Sequence, residues 1–201
     1  MTRRVLLALC ACLLLASCGT SGGGASSSSS SSESAVNVDT AALRHLRTSA
    51  GVEPCRPGAS SSKLPDVTLP CLGGGHDVDL ARLKGPMVVN LFAQWCGPCR
   101  SELPYYQELH RKAKGKVQVL GVDYLDTQPQ AALELVEQTG VTYPLLADPA
   151  GDLRVPFRVR GLPGIALVDK HGDVTVQYRV FRSYAELRHL VEQQLDVHLP
   201  A

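Results

Sequence analysis

Met87-Val88-Val89-Asn90-Leu91-Phe92-Ala93 runs without a break into Gln94-Trp95-Cys96-Gly97-Pro98-Cys99, and this stretch decides how the fold is read. Apolar side chains at nearly every position from Met87 to Ala93 predict a strand buried on both faces, as in a largely parallel sheet. Pro98 suits the first turn of a helix, because its missing N–H is one that a helix start leaves unpaired anyway. The residues from Arg100 to Lys114 are helix-compatible up to Gly115, with Pro104 as an interruption that predicts a kink. This junction puts Cys96 where free backbone N–H groups and the helix dipole favour a negative sulfur, so its thiol pKa is expected to be depressed. Cys99 lies one turn on, placed to attack a mixed disulfide held on Cys96. Exchange between two sulfurs needs no cofactor.

Two other uses of such a pair are open from spacing alone. A Cys-x-x-Cys can be half of a zinc site, but such sites carry a second close pair, and Cys55 and Cys71 have fifteen residues between them. No metal is therefore expected, and the six histidines show no ligand spacing either. An inert structural disulfide is the other reading; a two-residue loop at a strand–helix junction is typically reactive instead.

Outward from this centre, Lys116 to Asp123 predicts a second buried strand, and Gln130 to Thr139 a helix ended by Gly140. Pro144 to Ala147 is a short strand candidate. Ile165–Asp169 and Val174–Val180 flank Lys170-His171-Gly172-Asp173, which predicts a hairpin. Ser183-Tyr184-Ala185-Glu186 is a capping-box pattern that opens a last helix, with Leu187, Leu190, Val191 and Leu195 on its apolar face. Val67–Leu69 and Val78–Leu80 are weak strand candidates ahead of the core. Strand–helix–strand, a further helix, then hairpin and helix indicate a three-layer α/β/α domain.

Trp95-Cys96-Gly97-Pro98-Cys99 after a buried strand resembles the active site of the thioredoxin superfamily, and Pro104 matches that family's kinking proline. Gly161-Leu162-Pro163 before a strand resembles its cis-proline loop. More narrowly, the chain resembles the TlpA/ResA branch, exported and membrane-tethered, with an N-terminal extension and an inserted helix near Gln130–Thr139. The resemblance implies a thioredoxin fold with a central mixed sheet, and a redox-active Cys96–Cys99 disulfide. It also implies a substrate-binding surface of Trp95, Gly97, Pro98, Leu162 and Pro163, with Leu162 offering its backbone to an extended peptide. Thioredoxin's buried aspartate on the central strand is matched here by Asn90, which cannot titrate. Glu102, three residues beyond Cys99 on the same helical face, matches a glutamate implicated in ResA-like proteins. Desolvation near the sulfurs would raise its pKa; the alternative is a solvated carboxylate favoured by the helix dipole.

The chain's start carries a different message. Arg3-Arg4, the eleven-residue apolar run Val5–Leu15 and Leu15-Ala16-Ser17-Cys18 predict a lipoprotein signal over 1–17 with Cys18 as the lipidated residue. Ordinary signal cleavage is the alternative, and both export the protein. Residues 18–34 then form a Gly/Ser-rich tether, 35–63 an N-terminal extension and 64–201 the thioredoxin-like domain. Removing Arg3 and Arg4 from the 20 Lys and Arg leaves 18 against 19 Asp and Glu. No basic stripe appears, so nucleic acid is not an expected partner.

Of seven cysteines, four remain in the exported part. Cys55 and Cys71 are expected to form a structural disulfide around Pro57, Gly58 and Ser60–Ser62; a second redox pair and free thiols are the alternatives. By resemblance, the function expected is reduction of exported protein disulfides, apocytochrome c among them. Electrons would come from a membrane thiol donor of the CcdA type. An oxidant that donates its disulfide, and a non-catalytic binding lipoprotein, are the rival readings. A peroxidase role has no peroxide-activating motif to support it.

Overall fold

The structure is a computed structural model that describes residues 36–59 and 63–201. The signal, Cys18, the tether and Ser60–Ser62 lie outside the described residues. The core strand β3 (Met87–Phe92) is buried at every position. It pairs in parallel with β4 (Gln118–Tyr124), which pairs in parallel with β5 (Leu145–Asp148). On its other side β3 runs antiparallel to β6 (Gly164–Val168), and β6 antiparallel to β7 (Val174–Gln177). The strand order β5-β4-β3-β6-β7 makes β3 the centre of a mixed sheet. Its continuous apolar sequence follows from being covered on both faces.

Alternation along the strands divides the interior into two clusters. Val88, Phe92, Val119, Ile165 and Leu167 face α1 (Ala41–Ser49), α2 (Gly97–Ala113), α3 (Pro129–Thr139) and α4 (Tyr184–Leu195). Val89, Leu91, Val122, Ala166 and Val168 face the other way. There the cover is β1 (Thr68–Leu69) paired with β2 (Val78–Asp79), the 3-10 turn Leu80–Arg82, and Leu153, Phe157 and Val159. The third layer is thus made of strands and turns, and no α-helix contributes to it among the described residues. At about 1.5–3 kcal/mol for each large apolar side chain fully buried, the two clusters supply the largest favourable contribution to folding, set against a chain-entropy cost of similar size.

Local sequence explains most boundaries. The helix after the cysteine pair starts three residues earlier than Arg100, because Cys96 itself is the N-cap and Pro98 sits in the first turn. Gly140 ends α3 at φ 70°, a left-handed conformation suited to glycine. Ser183 Oγ accepts from Glu186 N at 3.2 Å and caps α4. The predicted hairpin forms, but β7 stops at Gln177 and Tyr178–Val180 leave the sheet. Gly121 on β4 is required by packing: a Cβ there would stand 2.5 Å from Leu145 Cδ2.

One element escaped the sequence reading. α1 lies within the segment read only as an extension; Thr40 caps it, its Oγ1 accepting from Leu43 N at 3.2 Å. Leu43 alone is fully buried on it, so the apolar periodicity was short.

Candidate active site

The β3 strand ends at Phe92, and β6 begins at Gly164 opposite Leu91. This register brings the Trp95–Cys99 loop and the Leu162–Pro163 loop to the same end of the sheet. The Leu162–Pro163 peptide is cis. Leu162 is half-buried and packs against the helical-side cluster that contains Cys96 and Cys99.

A disulfide joins Cys96 and Cys99, with Cα atoms 5.3 Å apart. Cys96 Sγ accepts from Cys99 N at 3.3 Å at the start of α2. Both cysteines are buried, while Gly97 and Pro98 are exposed and nothing stands within 4 Å of where a Cβ on Gly97 would be. The Gly97–Pro98 side of the disulfide is therefore open. Trp95, the chain's single tryptophan, is 56% exposed, and its Nε1 donates to Leu125 O at 3.3 Å.

Because α2 starts at Gly97, Glu102 lies in its second turn, and it is not the solvated carboxylate that the helix dipole would favour. It is buried; the Phe181 backbone N–H donates to its Oε1, and its Oε2 has no partner among the described residues. Burial raises its pKa from 4.5 to about 7, partly opposed by the Phe181 N–H. Asn90 on β3 is buried, and its Nδ2 donates to the hydroxyl of Tyr143 at 3.1 Å. It thus holds a neutral hydrogen bond where a titrating group could have stood.

Two acidic residues that sequence reasoning missed lie behind the loop. Asp126 Oδ2 accepts from Gln94 N at 2.8 Å and its Oδ1 from Gln128 N at 2.9 Å. One carboxylate therefore pins the approach to Cys96 and the start of α3. Asp123 is buried beside it with Oδ1 unpartnered among the described residues; burial, then the nearby Asp126 charge, push its pKa well up. The signal that could have found Asp126 is Asp-Thr-Gln-Pro, an Asx-type turn ahead of a helix-opening proline.

The second cysteine pair stands apart. A disulfide joins Cys55 to Cys71, and both residues are buried in the cluster on the other face of the sheet. Cys71 also bridges to Leu146 of β5, which ties the extension to the sheet edge. Among the described residues no group of three or more His, Cys, Asp or Glu could hold a metal ion.

The model described as the AhpC/TSA family matches residues 61–177, more than half of the chain. The chain belongs to the AhpC/TSA family. Within it, the chain is 35% identical over 105 residues to "Thiol-disulfide oxidoreductase ResA" of Bacillus thuringiensis (strain Al Hakam), covering 51% of this chain and 60% of that one. It is 34% identical over 119 residues to the protein of the same name from Geobacillus kaustophilus (strain HTA426), covering 58% and 67%. Among solved structures, MTB DsbF in its mixed oxidized and reduced forms superposes with a TM-score of 0.58 at 31% identity. That likeness covers 65% of this chain and 98% of the other. The chain thus spans less than two thirds of the Bacillus relative's length. The thioredoxin-like fold read from the Trp-Cys-Gly-Pro-Cys motif agrees with these findings.

Proposed function

We propose that this chain is an extracytoplasmic thiol–disulfide oxidoreductase that reduces disulfides of exported proteins through a Cys96–Cys99 dithiol. The observation that carries the reading is the Cys96 sulfur at the N-terminus of α2, accepting the Cys99 N–H. In the reduced protein the same N–H and the helix dipole stabilise a Cys96 thiolate. The thiolate attacks one sulfur of a substrate disulfide, forming a mixed disulfide and releasing one substrate thiolate. Cys99, deprotonated, attacks the Cys96 sulfur; the Cys96–Cys99 disulfide forms and the second substrate thiolate leaves. Two electrons pass to the substrate, and a thiol donor of the CcdA type would return them. Glu102, with a pKa near 7, is suited to exchange the proton of the buried Cys99. Trp95, Gly97, Pro98, Leu162 and Pro163 form the substrate face. Cys55–Cys71 serves as a structural staple. The ResA resemblance supports apocytochrome c as one substrate, and the lipobox-like Leu15–Cys18 supports an anchor at Cys18.

The reduction potential of the full chain tests the direction of electron flow. A value of about −250 mV or lower supports the reductant; about −150 mV or higher makes the protein a disulfide donor. Full disulfide-reducing activity in Cys96→Ser would sink the scheme altogether.

A further inference from the structure

Beside the Leu162–Pro163 loop lies an open groove of about 460 Å³ that also includes Arg160, Tyr178, Arg179 and Val180. A second groove continues from it through Arg160 and Tyr178 to Arg158 along the sheet-edge strand β7. Tyr178 holds the two together: its hydroxyl accepts from Arg160 N at 2.9 Å and donates to Arg158 O at 2.7 Å. The described residues expose only four large hydrophobics, and two of them, Tyr178 (38%) and Val180 (46%), line this groove. Leu162 has no backbone hydrogen bond among the described residues, so its N–H and C=O are open to a partner.

The charged residues that line the two grooves are all arginines: Arg158, Arg160 and Arg179. Arg154, Arg158, Arg160, Arg179 and Arg182 are all exposed, and none is in an ion pair among the described residues. Arg179 instead stacks over the Phe181 ring at 5.1 Å, which leaves its charge unneutralised. The only acids between Arg154 and Arg182 are Asp169 and Asp173, at the β6–β7 turn. Four residues of strand separate that turn from Gly164 at the site end, roughly 13 Å and beyond a Debye length at ~0.1 M salt; the far end of the second groove reaches Val174 beside Asp173, which is paired with Lys63. The near-neutral balance of the whole sequence thus hides a local concentration of cations.

Resting on the oxidoreductase reading above, we infer that this arginine-lined groove selects acidic protein segments: an extended, Asp- and Glu-rich stretch with apolar residues, carrying the disulfide to be exchanged. Open backbone groups at Leu162 would take its main chain, Tyr178 and Val180 its apolar side chains, and Arg158, Arg160 and Arg179 its carboxylates. Arginine's fork of N–H donors suits carboxylates in particular. The gain is in encounter rate and orientation ahead of the sulfur exchange.

The test uses the reduced full chain and two synthetic peptides that share one disulfide loop, one flanked by glutamates and the other by lysines. Oxidation of the Cys96–Cys99 pair is followed by fluorescence of Trp95. At low salt the glutamate peptide is expected to react about tenfold faster, and the ratio to shrink as salt is raised to ~0.5 M. Arg160→Glu with Arg179→Glu should invert the preference. Equal rates, a lysine preference, or a ratio unmoved by the double variant would overturn the inference. Uncharged hydroxyethyl disulfide separates the two levels. If it oxidises the chain while the peptides react equally, only the acidic preference fails; if neither it nor the peptides react, the oxidoreductase reading fails with it.

Discussion

The backbone N–H of Phe181, in the segment between β7 and α4, donates to the carboxylate of Glu102 in the first turns of α2. This bond joins the cysteine-bearing helix to the segment that carries Arg179 and Val180 into the groove. It also gives a buried carboxyl a single backbone donor, too little to hold it ionised at its ordinary pKa.

Stability should therefore depend on pH through Glu102. Its folded pKa, about 7, lies above the ordinary 4.5, so the folded state binds the proton more tightly. The stabilisation is complete below about 4.5 and is lost as pH rises through about 7. Asp123 and Asp148, whose carboxyls burial also pushes up, add a loss of the same sign. Denaturant midpoints of the oxidised protein are expected to fall from pH 5 to pH 8. Glu102→Gln should flatten that fall, and should remove an apparent pKa near 7 from the rate of disulfide exchange. An unchanged slope and rate profile in Glu102→Gln would exclude both roles.

Asp123 offers a cleaner case, since no role in exchange is assigned to it. Its unpartnered buried oxygen makes ionisation costly at neutral pH. Asp123→Asn removes the ionisation and is expected to raise the urea midpoint at pH 8 while changing it little at pH 4.

Asp126 should behave in the opposite way. Its two oxygens take two backbone N–H groups, of Gln94 and of Gln128. Asp126→Ala leaves both unpaired and should cost about 1–3 kcal/mol. Asp126→Asn keeps one acceptor and should recover part of this. Trp95, one residue from Gln94, should report the loosened loop as a change in fluorescence in the folded protein.

The two disulfides should separate under reductant. All four cysteines are buried, but Cys96 alone sits at a helix N-terminus, where its thiolate is a good leaving group, so mild dithiothreitol is expected to open Cys96–Cys99 first. Replacing Cys55 and Cys71 together by alanine should cost about 3 kcal/mol of stability in the chain-entropy model. Exchange through Cys96 should survive it, as judged by thermal unfolding and peptide reduction. Loss of exchange in a variant that still folds would mean that the second pair takes part in the redox cycle.

Sequence alone determined the centre of this protein. A both-faces-buried strand running into Trp-Cys-Gly-Pro-Cys is a local pattern, and periodicity, Pro98, Gly140 and the Ser183 cap are local signals that act over a few residues. They placed β3, α2, α3, the β6–β7 hairpin and α4 close to where they lie. Other features depended on residues far apart in the chain. Phe181 meets Glu102 across 79 positions and Asp126 meets Gln94 across 32, and neither pairing leaves a mark in the local pattern. Whether Glu102 is solvated or buried was decided by what packs over it, and the helix-free layer by which elements reach the second face of the sheet. The arginine surface is of the same kind: its charges come from two loops that the antiparallel pairing of β6 with β7 brings together. Propensity acts along the chain, whereas burial and electrostatic potential act through space, and only folding brings the distant residues within reach.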